Sequence, residues 1–122
     1  MKATEQQVLV KMRKICLPLT GTEEKISHGH PSFATSQGIY AVLEEYRGEL
    51  SICVKVGLGV QGAFLEDTRF YLTPYVGKHG WVSLKVHAAP LDWNEIAGLL
   101  QGSHQLITAP KPPRAPRAPR RS

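Results

Sequence analysis

No acidic residue falls among the last thirteen positions, Pro110 to Ser122, and the rest of the chain has no surplus of either charge. The tail holds Lys111, Arg114, Arg117, Arg120 and Arg121, five of the 15 Lys and Arg, which leaves ten cations against ten Asp and Glu in the body. The formal charge of +5 and the pI near 9.4 therefore belong to the tail. Nucleic-acid affinity comes largely from neutralised phosphates, so a body without net charge needs a local cluster of cations to bind by itself.

Cysteine is scarce. Cys16 and Cys53 stand alone with no C-x-x-C spacing, which excludes a disulfide framework and points to a reduced, cytoplasmic setting. Long apolar runs are missing too. Lys2, Glu5, Lys11, Arg13 and Lys14 interrupt the first twenty residues, so neither a signal-peptide core nor a membrane span is expected. Residues 1 to 109 suffice for one soluble domain with a core of its own, followed by a basic tail over 110 to 122. Catalytic signatures are also lacking. Ser27 with His28 and Ser103 with His104 are sequence neighbours, not oriented triads, and no glycine-elbow serine is present.

Val8, Met12, Ile15 and Cys16 recur at helical spacing before Pro18 and predict a first helix. Thr20 and Glu23 have capping-box spacing and suggest one short turn, while Gly29 and Pro31 argue for an irregular loop over 27 to 31. A short strand over 32 to 35 is expected next. Ile39, Ala41 and Leu43 alternate with Tyr40, Val42 and Glu44; past the turn at Gly48, Leu50, Ile52, Val54 and Val56 alternate with Ser51, Cys53 and Lys55. A glycine-rich helix over 58 to 66, with Val60, Phe64 and Leu65 as its apolar side, precedes two strands over 70 to 73 and 81 to 86. Asp92 then caps a last helix with Trp93, Ile96, Ala97 and Leu100 on one face.

The predicted order is helix, three strands, helix, two strands, helix. It implies a two-layer α+β domain whose mainly antiparallel sheet is covered by helices on one face only. Val82, Leu84 and Val86 then face the helices, and His79, Trp81, Ser83 and Lys85 point the other way, beside Tyr71, Thr73 and Tyr75. Cys53, mid-strand and far from any base, is expected to be a small packed residue.

Gly57-Leu58-Gly59-Val60-Gln61-Gly62 matches the spacing G-x-G-x-x-G, but no acidic residue lies about twenty positions on, and no second βαβ unit fits, so no dinucleotide cofactor is expected. His28, His30 and His79 lack a carboxylate or thiolate at ligand spacing, so no metal is expected either. Lys78 and His79, flanked by Gly77 and Gly80, offer a cation and backbone amides to an anion. In the tail, Arg114-Ala115-Pro116 and Arg117-Ala118-Pro119 repeat. Five prolines disfavour helix and sheet there, and a polyproline II arm would set successive arginines about 9 Å apart along one side.

With Gly29-His30-Pro31-Ser32-Phe33, Leu50-Ser51-Ile52, Asp92-Trp93, and above all Pro74-Tyr75-Val76-Gly77-Lys78-His79-Gly80-Trp81-Val82, the chain resembles the MmcQ/YjbR-like family of small bacterial proteins over residues 4 to 111. The resemblance implies the element order above and a fold similar to the double-wing DNA-binding domain of the phage transcription factor MotA. It also implies a DNA-binding role. On that reading the Arg47 hairpin, the Lys78 and His79 wing and the five tail cations contact phosphates, with Trp81 or Tyr75 as stacking groups. The alternative is a small-anion or protein-partner site at the Gly77 to Trp81 loop. A formyltransferase activity, attached to some relatives, would need a folate pocket and a nucleotide-type fold, which so short a chain does not display. A non-enzymatic protein is expected.

Overall fold

The computed structural model describes residues 3–110, and the tail cations Lys111, Arg114, Arg117, Arg120 and Arg121 lie outside them. Helix α1 (Glu5–Cys16) opens with a reciprocal cap, in which the Thr4 hydroxyl accepts from the Gln7 N–H and the Gln7 side chain accepts from the Thr4 N–H. Two amides that a helix start leaves unpaired are thereby satisfied. Val8, Leu9, Met12 and Cys16 form its buried stripe. Burial pushes the Cys16 thiol up to about 12.

Strands β1 (Glu23–Ser27), β2 (His30–Thr35), β3 (Gly38–Tyr46) and β4 (Glu49–Lys55) follow, then helix α2 (Leu58–Leu65), strands β5 (Phe70–Leu72) and β6 (Trp81–Lys85), and helix α3 (Trp93–Thr108). The six strands form one antiparallel sheet in the order β1-β2-β3-β4-β6-β5. Val8, Met12, Ile96 and Leu100 from the helices meet Phe33, Leu43, Ile52, Val82 and Leu84 from the sheet in a single core. Phe64 of α2 joins the same side, edge-on to Phe70 at 5.2 Å between ring centres. The domain is thus α+β with its helices on one face.

Thr20 and Glu23 do not open a helical turn, and residues 27 to 31 are not an irregular loop. Glu23–Ser27 is a strand, paired with β2 from Glu23↔Ala34 to Ser27↔His30. His28 and Gly29 take φ of 51° and 82°, the two-residue hairpin geometry whose twist matches the strands it joins. Gly29 closes this hairpin. Pro31 lies outside the β2–β3 register, which starts at Ser32↔Val42, so its missing N–H removes no bond from that ladder. Arg47 and Gly48, with φ of 51° and 82°, repeat the same turn between β3 and β4.

Strict alternation in β3 also fails at one point. Phe33 pairs with Ala41 and Ala34 with Ile39, which leaves Tyr40 as an extra residue, the definition of a β-bulge. The bulge turns Tyr40 into the core, where its hydroxyl lies 2.8 Å from Thr22 Oγ1 and its ring stands edge-on to His104. Ile39, expected beside Ala41 and Leu43, faces the other side. Ser103 closes the gap: its hydroxyl donates to the Tyr40 carbonyl and accepts from the Lys55 N–H at 2.9 Å. A helix side chain thus supplies both halves of a hydrogen bond that the sheet cannot make there.

Helix α2 differs from the expected amphipathic piece, since Val60 and Leu65 are exposed and none of its residues is fully buried. It is fixed by its start and by one side chain. Gln61 donates to the carbonyls of Gly77 and Trp81 at 2.7 and 2.9 Å. Gly57 N–H donates to Gly80 O, and a Cβ on Gly80 would stand 2.9 Å from Gly57 Cα. The first glycine of the G-x-G-x-x-G run thus serves a backbone crossing at which Gly80 has no room for a side chain, while Gly57 itself takes a φ of 96° that favours glycine. At the far end, the guanidinium of Arg69 spans Asp67 and Glu95, each at 2.7 Å, and so ties the β5 approach to the first turn of α3.

Candidate binding face

The face opposite the helices is built by register. Cys53 pairs with Ser83 and Val42, Lys55 with Trp81, Ser51 with Lys85 and Glu44, and Tyr71 with Ser83. Cross-strand partners share a face, so these residues lie together on the side that no helix covers. Ser83 Oγ lies 2.8 Å from Thr73 Oγ1 and 3.2 Å from Cys53 Sγ, and the Cys53 thiol donates to Glu44 Oε1 at 3.5 Å. Tyr71 Oη lies 2.7 Å from Ser51 Oγ. Burial drives the Cys53 thiol strongly upward, so it stays protonated, a packed donor and not a nucleophile.

Above this row lies a cavity of about 580 Å³, within the size range of small-ligand sites. Ile39, Val42, Glu44 and Cys53 form its floor; Ser27, His28 and His30 of the first hairpin wall one side, and Thr73 to Val76 with Trp81 wall the other. His30 Nε2 stands 3.7 Å from Glu44 Oε2. Among the described residues no Lys or Arg lines the cavity.

Tyr75 stands at its rim, 89% exposed and with φ of 68°. A bulky residue in that conformation stores on the order of 1–3 kcal/mol of strain. The surrounding turn enforces it, with Val76 N–H bonded to Pro74 O and Gly77 N–H to Thr73 O, both at 2.8 Å.

Lys78 and His79 are exposed in a 3₁₀ turn (Gly77–His79), a corner held by the hydrogen bonds of Gly77 and Gly80. Neither residue lines the cavity. Arg47, exposed at the β3–β4 hairpin with its guanidinium 5.2 Å from the Tyr46 ring centre, lies at the other end of β4 from the residue that pairs with Trp81. Six strand steps of about 3.4 Å separate the two ends, roughly 20 Å. The two turns therefore bracket the face and do not converge. Trp81 is 9% exposed and lines the cavity with part of its ring. Its cross-strand neighbour is Lys55, not the expected Tyr71 or Tyr75, and Tyr71 approaches Tyr46 instead. His79 does not join His28 and His30, and among the described residues no three His, Cys, Asp or Glu side chains gather as a metal site. Glu44, which sequence reading did not select, sits at the centre of the face; only its in-register approach to His30 across β2 and β3 could have marked it.

The YjbR family model matches residues 17–106. This chain belongs to the YjbR family. The YjbR fold recurs in the crystal structure of Deinococcus radiodurans protein DR2400, described as carrying a DUF419 domain, with a TM-score of 0.71 at 20% identity over 87% of this chain and 82% of that one. A Pseudomonas syringae protein is similar, with a TM-score of 0.68 at 20% identity over 86% of this chain and 99% of the other. At that identity the likeness carries the fold alone. No curated protein matches the chain, and none of its described helices is long and apolar enough to cross a membrane.

Proposed function

We propose that this YjbR-family protein is a non-enzymatic, cytoplasmic DNA-binding module whose helix-free sheet face meets nucleic acid between two wings. The Arg47 hairpin and the Lys78–His79 corner hold phosphates at either end, and the tail cations add reach. One observation carries this reading: Arg47 and Lys78 stand exposed at the two turns that bracket the helix-free face, on which Lys25, Lys55 and Lys85 lie by register beside Glu23, Glu44 and Glu49. The face itself is balanced in charge, and the cations that a phosphate would meet first are those at its two turns. The free, buried state of both cysteines accords with a reducing compartment. The small-anion alternative draws less support, because the cavity is lined without Lys or Arg.

The test is the salt dependence of binding to duplex and single-stranded DNA. With the full tail, log affinity is expected to fall against log salt with a slope of about −4.5 on duplex, from five phosphate contacts at about 0.9 each. Removing residues 111–122 should abolish most of that slope, and Arg47→Gln with Lys78→Gln should weaken what is left. Equal binding by the shortened chain would refute the role of the tail. An absence of binding to either form of DNA at micromolar protein would refute the function.

A further inference from the structure

The cavity on the open face has a chemistry that phosphate contacts do not use. Its walls offer flat apolar surface from Trp81, Tyr75, Val42 and Ile39. Its deepest charged group is the Glu44 carboxylate, one oxygen 3.7 Å from His30 and the other accepting weakly from the Cys53 thiol. A carboxylate accepts and never donates. With no Lys or Arg along the cavity among the described residues, an anionic occupant would meet the Glu44 carboxylate with no Lys or Arg of the walls to offset it. The fitting ligand is planar, uncharged and edged with N–H donors. A volume of about 580 Å³ holds one such ring with its sugar, and Tyr75, strained and almost fully exposed, provides a lid against which the ring can stack.

We propose that this cavity receives a single unstacked nucleobase, and that Glu44 selects guanine, whose edge carries two adjacent N–H donors that match the two oxygens of a carboxylate. The inference rests on the nucleic-acid reading in one respect: Lys25, Lys55 and Lys85, on the same face by register, would carry the strand whose base enters the cavity. Uracil and thymine present one ring N–H between two carbonyls, and those carbonyls would face the carboxylate. Discrimination against them follows from acceptor opposing acceptor.

The full chain would be titrated with guanosine and with uridine, following the Trp81 indole N–H by NMR, and with two nine-nucleotide strands, all thymidine or thymidine with one central guanine. Guanosine is expected to bind at least tenfold tighter than uridine, and the guanine-bearing strand at least tenfold tighter than the other. Glu44→Gln, the same size but half donor, should erase the preference, lowering affinity for guanosine while binding of the all-thymidine strand grows no weaker, since the amide can donate to a thymine carbonyl. Tyr75→Ala should weaken guanosine binding several-fold without moving the thermal midpoint downward. Equal affinities for guanosine and uridine, no shift of the indole resonance, or a preference that survives Glu44→Gln would each overturn the proposal. Guanosine binding with no strand binding would keep the pocket and sink the DNA-binding function; strand binding without guanine preference would do the reverse.

Discussion

Replacing Ser103 with alanine isolates the energy of one hydroxyl that patches a break in the sheet. Ser103 is fully buried, donates to Tyr40 O and accepts from Lys55 N–H. Alanine keeps the helix and nearly the same volume, so the loss is confined to these two bonds. It leaves a carbonyl and an amide without partners beneath α3, and an unsatisfied buried group costs about 1–3 kcal/mol. Together they should cost about 2–6 kcal/mol. In a domain of this size each kcal/mol lowers the thermal midpoint by about 4–6 °C, so a drop of at least about 8 °C is expected. Ser32→Ala provides the control. Ser32 is equally buried, but its hydroxyl reaches only the carbonyl of His30, two residues away, and its loss should cost under about 1 kcal/mol. Urea unfolding of both variants, read by fluorescence, gives the comparison. A Ser103→Ala loss below about 1 kcal/mol, or one no larger than that of Ser32→Ala, would refute the bridging role.

Gly80→Ala places a methyl group 2.9 Å from Gly57 Cα at φ of 90°, and both chains there are backbone, so about 2–4 kcal/mol of destabilisation is expected in the same unfolding assay. Tyr75→Gly should do the opposite, releasing the strain at φ of 68° and raising stability by up to about 1 kcal/mol after the extra chain entropy of glycine, while guanosine binding falls. The Arg13 guanidinium holds Glu24 below its ordinary 4.5, and Arg69 holds Asp67 below its ordinary 3.8. A carboxylate depressed by folding contributes stability that is complete above its unfolded value and lost as pH falls through the folded one. Thermal midpoints should therefore drop as pH goes below about 4.5, and Arg69→Gln should flatten the lower part of that decline.

Much of the fold was legible because its signals are local. Apolar spacing in Val8 to Cys16, the Asp92 cap, and the alternation in Leu50 to Val56 and Trp81 to Val86 each depend on neighbours a few positions away. The first strand was missed because Glu23, Glu24, Lys25, Ile26 and Ser27 offer no apolar alternation: it is an edge strand with Ile26 66% exposed, held by its hairpin more than by burial. The bulge at Tyr40 was unreadable for another reason, since its partner, Ser103, lies 63 residues further on. Of the glycines of the G-x-G-x-x-G run only Gly57 meets another backbone closely, and that backbone is Gly80. The open face was expected from the layer argument, and Trp81, Ser83 and Lys85 do lie on it. Its centre was not, because Glu44 becomes conspicuous only once β2 sets His30 beside it.

An open sheet of this kind has two unpaired borders, and the molecule treats them differently. On one side β5 is three residues long, too brief to template an added strand. On the other, β1 presents Glu23, Glu24 and Lys25 in succession, charges that an incoming chain would have to desolvate before pairing. Strand addition from outside is thereby discouraged at both margins, and recognition is directed onto the broad surface between the two turns.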